Sequence, residues 1–284
     1  MTDATQRRIH PNSIWFFLMH VAALGVFFVP FSWPMVVLCL GLFWLRMFAI
    51  TAGFHRYFSH RTFKTSRVFQ FLLAFLGTTS LQKGVLWWAG LHRHHHRYSD
   101  QDEDIHSPQR DGFWWAHVGW ILSSKWDDTP EHLIKDFMGY PELRWLNRWH
   151  IVPGILLAVV LFWLGGLPAL FWGFFLSTVL TWHTTFAINS LTHVFGRRRY
   201  ATKDSSRNSL ILALLTLGEG WHNNHHYYQA SVRQGFFPWE IDISYMILKA
   251  FSWVGIVWDL KVPPRRVLFA NRVDDVTERS RVTA

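Results

Sequence analysis

The chain has 284 residues, half of them hydrophobic, with 18 Trp and 25 Phe, and carries a net charge of +9. That is too apolar and too aromatic for an ordinary soluble domain, and it suits long lipid contacts with aromatic belts at the interfaces. Charge inside a bilayer is costly, so the basic residues must be segregated from the apolar ones along the chain.

Residues 1–13 are polar and lead straight into an apolar stretch without a small-residue cleavage site, so no cleavable signal peptide is expected. Two membrane-length stretches follow, about 14–33 and 35–54, joined by "PFSWP" at 30–34. Each approaches the roughly 20 residues that a hydrocarbon core of about 30 Å requires, and so short a connector makes the pair a helical hairpin. The single cysteine, Cys39, lies in the second stretch; no intramolecular disulfide is possible, which agrees with a reducing side. Just beyond comes "HRYFSH", with His55 and His60, and then a shorter apolar run at 68–81.

The stretch "LHRHHHRYSDQDEDIHSP" at 91–108 holds His92, His94, His95 and His96, followed by Asp100, Asp102, Glu103, Asp104 and His106. After another short apolar run at 113–122, a second hairpin is expected from 151–167 and 169–188, joined by "GGLP". "NSLTH" follows, with Asn189 and His193, then an apolar run at 210–217, "HNNHH" with His222, His225 and His226, and a last run at 243–258. The short runs are read as interfacial or as a roof over the cytosolic part. Residues 263–284 read as a mobile mixed-charge tail.

Lys and Arg set the orientation. Two lie before the first span, twelve between 55 and 149, thirteen after 196, one (Arg46) inside a span, and none in either short connector. The positive-inside rule then makes both termini and the 55–149 loop cytoplasmic. The charge follows membrane topology, which argues against nucleic-acid binding. The expected fold is an all-α membrane protein. Four transmembrane helices in two hairpins would support a cytosolic helical cap (55–149 and 189–262), with the whole chain one domain.

Positions i, i+3 and i+4 share a helix face. His92, His95 and His96 fit that spacing, as do His222, His225 and His226, and Asn189 and His193 are an i, i+4 pair. His94, two positions from His92, points away. His55 and His60 are five apart and converge only if the helix ends or bulges between them. Neutral imidazole is a ligand for iron, zinc, copper and nickel alike. Nine histidines and an asparagine exceed what one ion can use, so two ions are the economical reading. The carboxylates are read as a mixture of groups that orient imidazoles and solvated charges.

These boxes, in this order and between two hairpins, resemble the membrane fatty acyl desaturases of the stearoyl-CoA desaturase type, in the bacterial form without a fused cytochrome b5 domain. The resemblance covers about residues 14–262, including the flanks "TAGFHRYFSHR", "GFWWAHVGW" and "GEGWHNNHH". It implies two irons, held by His55, His60, His92, His95, His96, His193, His222, His225 and His226, with Asn189 reaching one through a water. It places His94 at a variable position, and His106 and His117 in a supporting role. His10, His20, His132, His150 and His183 are read as bystanders, with His20 and His183 satisfied inside the bundle.

The resemblance further implies an O2-dependent desaturase of the bacterial inner membrane, introducing a cis double bond at carbon 9 of a saturated acyl chain. Gln82, Trp88 and Thr185 match positions lining the bend of the acyl tunnel in the animal enzymes, and Phe186 stands where those have tryptophan. Animal acyl-CoA enzymes carry Arg-Asp just before the second box, where this chain has Gly90–Leu91, so acyl-CoA and acyl-lipid substrates both stay open. No G-x-G-x-x-G, C-x-x-C or H-P-G-G is present, so electrons are expected from a separate ferredoxin, rubredoxin or cytochrome b5 with its reductase. The rivals are a hydroxylase or ketolase on the same scaffold and, from another class, a transition-metal transporter. Transport sites lie near the bilayer midplane, whereas these clusters lie at or beyond the cytosolic helix ends.

Overall fold

The structure, a computed structural model, describes residues 9–273. Its N-terminal helix α1 (Ile14–Ala23) tightens into a 3-10 turn and stops at Phe28, short of the expected 33. Pro30 and Pro34 explain the difference, because a proline disfavours helix in the residue before it and cannot donate a helical hydrogen bond. Helix α2 (Trp33–Phe48) then starts with a proline in its first turn and continues without a break through π-helical turns at Ala49–Ser59. The whole run of 27 residues, Trp33–Ser59, is apolar enough to cross a membrane. At about 1.5 Å per residue it is longer than a hydrocarbon core of about 30 Å, and its last turns bear the first histidine box.

The second long apolar run, Val152–His193, spans 42 residues. It contains α6 (Val152–Ala169), π-helical turns at Leu170–Leu176 and α7 (Ser177–Ser190), and finishes in a 3-10 turn at Leu191–His193. Gly165 and Gly166 interrupt it with non-helical dihedrals. Gly166, with φ 60° and ψ −153°, occupies backbone space essentially reserved for glycine. Leu170–Leu176 packs back on α6, and α1 and α2 pack on the same segment and on α7. Leu161, Ala169 and Phe174 form the buried centre, with Met19, Leu38, Leu42 and Leu81 around them.

Two polar devices hold this apolar bundle. Arg46 is fully buried; its Nη1 donates to Thr178 Oγ1 at 2.7 Å and its Nε to Leu42 O at 3.1 Å, while Nη2 donates to Ser177. His20 and His183 pair at 2.8 Å, and His183 meets His117 at 3.0 Å, so these bystanders satisfy one another.

The cap is built from α3 (Arg67–Thr78), α4 (Val85–Tyr98), α5 (Pro141–Arg148), α8 (Leu210–Leu215), α9 (His222–Tyr227) and α10 (Ile243–Trp253). Ser66 caps α3 by accepting from Phe69 N–H at 3.2 Å, and Asp242 caps α10 by accepting from Tyr245 N–H at 3.0 Å. Phe54, Phe58, Leu73, Val85, Leu86, Phe137 and Leu143 form one buried core joining the π-helical turns after α2 to α3, α4 and α5.

Two corrections follow. The expectation of an all-helical chain misses a two-stranded antiparallel ribbon, Lys64–Thr65 against Val257–Trp258, which ties the exit of the first box to the end of the cap. The expected tail is docked over its described part. Residues 265–269 form a helical turn, Leu268 O accepts from Tyr200 Oη at 3.0 Å, and Val273 N–H donates to Arg199 O at 2.9 Å. Residues 274–284 of that tail lie outside the described residues.

Candidate metal centre

The π-helical turns solve the spacing problem of the first box. His60 N–H donates to His55 O at 3.2 Å, an i→i+5 bond, and the helix ends at His60 with φ −110°. A residue five positions along is thereby brought back over its predecessor, and the two rings lie 4.9 Å apart.

The nine histidines gather into two groups, His55, His60, His92, His96 and His225, and His95, His193, His222 and His226. Within each group the nitrogens lie within 4.8 Å of one another. Each H-x-x-H-H helix divides its histidines between the groups, in opposite senses. From α4, His92 and His96 join the first group and His95 the second; from α9, His225 joins the first and His222 and His226 the second.

Several outer nitrogens are held by acceptors, whereas Nδ1 of His96 and of His222 is buried without a partner. His95 Nδ1 lies 2.7 Å from Asp104, His226 Nδ1 lies 2.8 Å from Asp204, and His55 Nδ1 pairs with Glu219. His193 Nδ1 lies 3.2 Å from Ser205 Oγ and 3.6 Å from Asp100. Gln234 reaches both His55 and His225, with its Oε1 lacking a partner. The two ends of an amide look alike, and turning the oxygen toward His225 lets it accept that Nδ1 proton. A neutral imidazole has one proton, so each Nδ1–H bond leaves Nε2 as a lone pair facing inward.

The inner nitrogens converge. In the first group Nε2 atoms stand 3.0 Å apart between His55 and His225, 2.8 Å between His225 and His96, and 2.9 Å for both His96–His92 and His92–His60. In the second group His193 and His222 approach at 3.1 Å, and the buried Nε2 of His226 has no partner. Nitrogens at this range repel unless a proton or a cation lies between them. Nitrogens bound at right angles about 2.1 Å from one ion stand about 3.0 Å apart, so the donor set fits two metal ions.

Electrostatics keeps the donors available. Burial, and then the neighbouring imidazoles, hold His60, His92, His96, His222 and His225 well below the ordinary histidine value. Burial brings His226 down to about 4 against the pull of Asp204. His95 goes the other way, because Asp104 outweighs burial and raises it. Burial would raise Asp100, Asp104 and Asp204, yet their histidine partners hold all three carboxyls below the usual range.

His94 stands apart from both groups, with Nε2 2.8 Å from Glu103 O. The acidic run divides as expected into orienting and solvated groups: Asp100 and Asp104 face imidazoles, whereas exposed Asp102 pairs with Arg110. His106 is buried against His95, its ring 4.3 Å away, and forms a further cluster with His95 and Asp104. Sequence reasoning missed Asp204, Glu219 and Gln234. Glu219 carried a signal, standing three positions before His222, while Asp204 and Gln234 sit in loops with no periodicity to read.

A cavity of about 1230 Å³ reaches the first group at His92, and Asn189 and His106 also line it. It is larger than the roughly 300–1,000 Å³ usual for small-molecule pockets, and its lining is mainly apolar. Gln82, Trp88 and Thr185 all line it, as does Phe186. Gln82 Nε2 donates to Thr185 Oγ1 at 3.0 Å, Thr185 in turn bonds back to Thr181 O at 2.8 Å, and Trp88 stacks on His92 at 5.1 Å. Gly90 faces Pro130 so closely that a Cβ would collide with its ring, and Leu91 is buried with Trp87, Ile105 and Trp120. Gly90 therefore has no room for a side chain, and Leu91 faces the cavity from this cluster.

Residues 30–233 match the fatty acid desaturase family. The chain is 38% identical over 260 residues to the sn-1 stearoyl-lipid 9-desaturase of Anabaena variabilis, covering 90% of this chain and 94% of that protein. It is 40% identical over 264 residues to the sn-1 stearoyl-lipid 9-desaturase of Synechocystis, covering 91% and 82%. To an acyl-CoA C20 Delta5-desaturase of Anemone leveillei it is 36% identical over 263 residues, covering 89% and 83%.

Proposed function

The chain belongs to the fatty acid desaturase family, and from that premise we propose that this membrane oxidoreductase inserts a cis double bond at carbon 9 of a saturated acyl chain. The observation that carries the reading is the convergence of nine imidazoles in two groups, the first of which meets a mainly apolar cavity at His92.

The proposed resident metals are two irons. One would be held by His55, His60, His92, His96 and His225, the other by His95, His193, His222 and His226, and Asn189, which lines the cavity, would be the remaining candidate, acting through a water. Bound there, the pair supplies the O2-dependent oxidant needed to remove two hydrogens from unactivated methylenes, chemistry beyond any side chain. The protein's part is positional. Asp104, Asp204, Glu219 and Asp100 fix imidazole tautomers, Trp88 holds the His92 ring, and the Gln82–Thr185 bond braces the tunnel where the acyl chain bends past His92.

The proposed topology is four spans in two hairpins forming one domain with the cap, with both termini and the metal centre on the cytoplasmic side of a bacterial inner membrane. The break at Gly165–Gly166 and the distribution of Lys and Arg support it. Electrons would come from a separate ferredoxin, rubredoxin or cytochrome b5 with its reductase. A lipid-borne acyl chain is favoured over acyl-CoA by the names of two of the relatives and by the burial of Gly90 and Leu91.

The test is expression in a host whose lipids are saturated, with iron and a donor present, followed by fatty-acid analysis with double-bond positions. Monounsaturated chains are expected. Hydroxylated chains alone would move the reading to a hydroxylase, and no new species at all would remove the desaturase claim.

A further inference from the structure

The tunnel opens sideways. Trp15, Leu18 and Val21 of α1, with Ile151 and Ile155 at the start of α6, line the cavity and are 68, 45, 64, 53 and 57% exposed. Side chains that wall a cavity and are half exposed border an opening. All five are apolar, and they lie on two helices of the apolar bundle, so this opening suits lipid tails better than water.

A strained turn marks the rim. Leu81 and Lys83 both have left-handed backbones, φ 56° and 60°, on either side of Gln82. Such a conformation strains an L-residue, so the surroundings must impose it. Gln82 is thereby turned inward to Thr185, while Lys83 stands at the rim. Its Nζ lies 2.5 Å from Asp127 Oδ1 and 4.7 Å from the centre of the Trp87 ring. An ammonium carries three protons, and Asp127 takes one of them.

We infer that the acyl chain enters from the bilayer between α1 and α6 as part of a membrane glycerolipid, whose ester and headgroup stay outside. Lys83 Nζ donates to an oxygen of that outer end. This rests on the desaturase reading and names the carrier and its contact. Because Lys83 adjoins Gln82, an oxygen held there measures the chain from its ester to the bend.

The experiment uses the protein in nanodiscs of phosphatidylglycerol whose sn-1 stearoyl chain carries a photoactivatable diazirine. A diazirine-bearing stearoyl-CoA, added from water, is the second arm. Irradiation and peptide mapping are expected to place the lipid label on the 14–23 and 151–164 peptides and on the peptide carrying Gln82. Excess unlabelled phosphatidylglycerol should compete, and stearoyl-CoA should not. Leu18→Trp with Ile155→Trp should reduce label at the Gln82 peptide at least tenfold. Lys83→Met should weaken competition by the unlabelled lipid about fivefold. Lipid label confined to other faces, or displaced by stearoyl-CoA, overturns the inference, and the wild-type map decides this even if a variant does not fold. Desaturation is read separately: absence of a double bond on either carrier removes the desaturase reading, whereas faster turnover of stearoyl-CoA than of the lipid removes only sideways entry.

Discussion

Asp204 Oδ2 lies 2.8 Å from Nδ1 of His226, and the two side chains are almost entirely shielded from water. The carboxylate fixes the proton on the outer nitrogen and aims an unpartnered Nε2 at His95, His193 and His222. Asp204→Asn keeps the shape but removes the charge, and its amide can present a donor where an acceptor is needed. Loss of such an outer partner costs about 10–100-fold in metal affinity. Iron titration of the apo protein should show that loss for Asp204→Asn and none for Asp102→Asn, whose carboxylate pairs with Arg110 at the surface. Equal affinity for both variants would remove the orienting role.

The division of α4 gives a second prediction. His95 lies in the second group with its Nδ1 on Asp104, while His94 contacts a loop carbonyl. His94→Ala should keep the full metal content. His95→Ala should lose about half of it, because only one group is broken. Metal analysis of purified protein decides the matter, and equal losses would contradict the assignment.

The boxes were legible because helical spacing needs no tertiary information, and that spacing separated His94 from its neighbours. The allocation of each histidine was not legible: His92 and His95 look equivalent on a helical face, yet they serve different groups because α9 crosses from the other side. The convergence of His55 and His60 was legible only as a condition, met by π-helical turns that are buried throughout. Asp204 was invisible because a loop residue gains its role from a partner 22 positions away. The docked segment 263–273 was misread for the same reason, since its contacts to Arg199 and Tyr200 are long-range and its composition resembles a tail.

Acid should destabilise the metal-free protein. His60, His92, His96, His222 and His225 sit well below the ordinary value near 6.5, and His226 is near 4. Below about pH 6.5 the unfolded chain takes up protons that the folded chain refuses, so the stability present above that value is lost as pH falls toward the folded values. His95 has the opposite sign: its raised value adds stability below about 6.5 that disappears as pH rises through it. One raised group against six lowered ones leaves a net loss. The Tm of apo protein in detergent should fall steadily from pH 7 to pH 4; a flat or rising curve would contradict the burial of these neutral imidazoles.

Thr185 braces Gln82 across the tunnel while anchored to its own helix at Thr181 O. Thr185→Val keeps the volume and removes the hydroxyl, leaving the buried Gln82 amide without that partner. A bond of this kind contributes about 1 kcal/mol, equivalent to roughly a fivefold change in a ratio. The expected result is a product mixture in which double bonds next to the main position rise about fivefold relative to it, read by mass spectrometry of derivatised fatty acids. An unchanged distribution would place the determinant of position elsewhere on the tunnel wall.

Exchanging Gly90–Leu91 for Arg-Asp would ordinarily be the way to ask whether the chain can be given coenzyme A contacts. Here the site resists the question. A Cβ at Gly90 runs into the Pro130 ring, and Leu91 is buried among Trp87, Ile105 and Trp120, where an aspartate would be an unpaired charge. Placing a lone ionised group in such surroundings, together with the lost Leu packing, costs several kcal/mol. The double variant should therefore show a Tm lowered by 10 °C or more, on the order expected from about 4 °C or less per kcal/mol in a chain of this size. Gly90→Ala alone should lower it by a smaller amount. A double variant as stable as the wild type and newly responsive to stearoyl-CoA would show instead that α4 can turn this face outward.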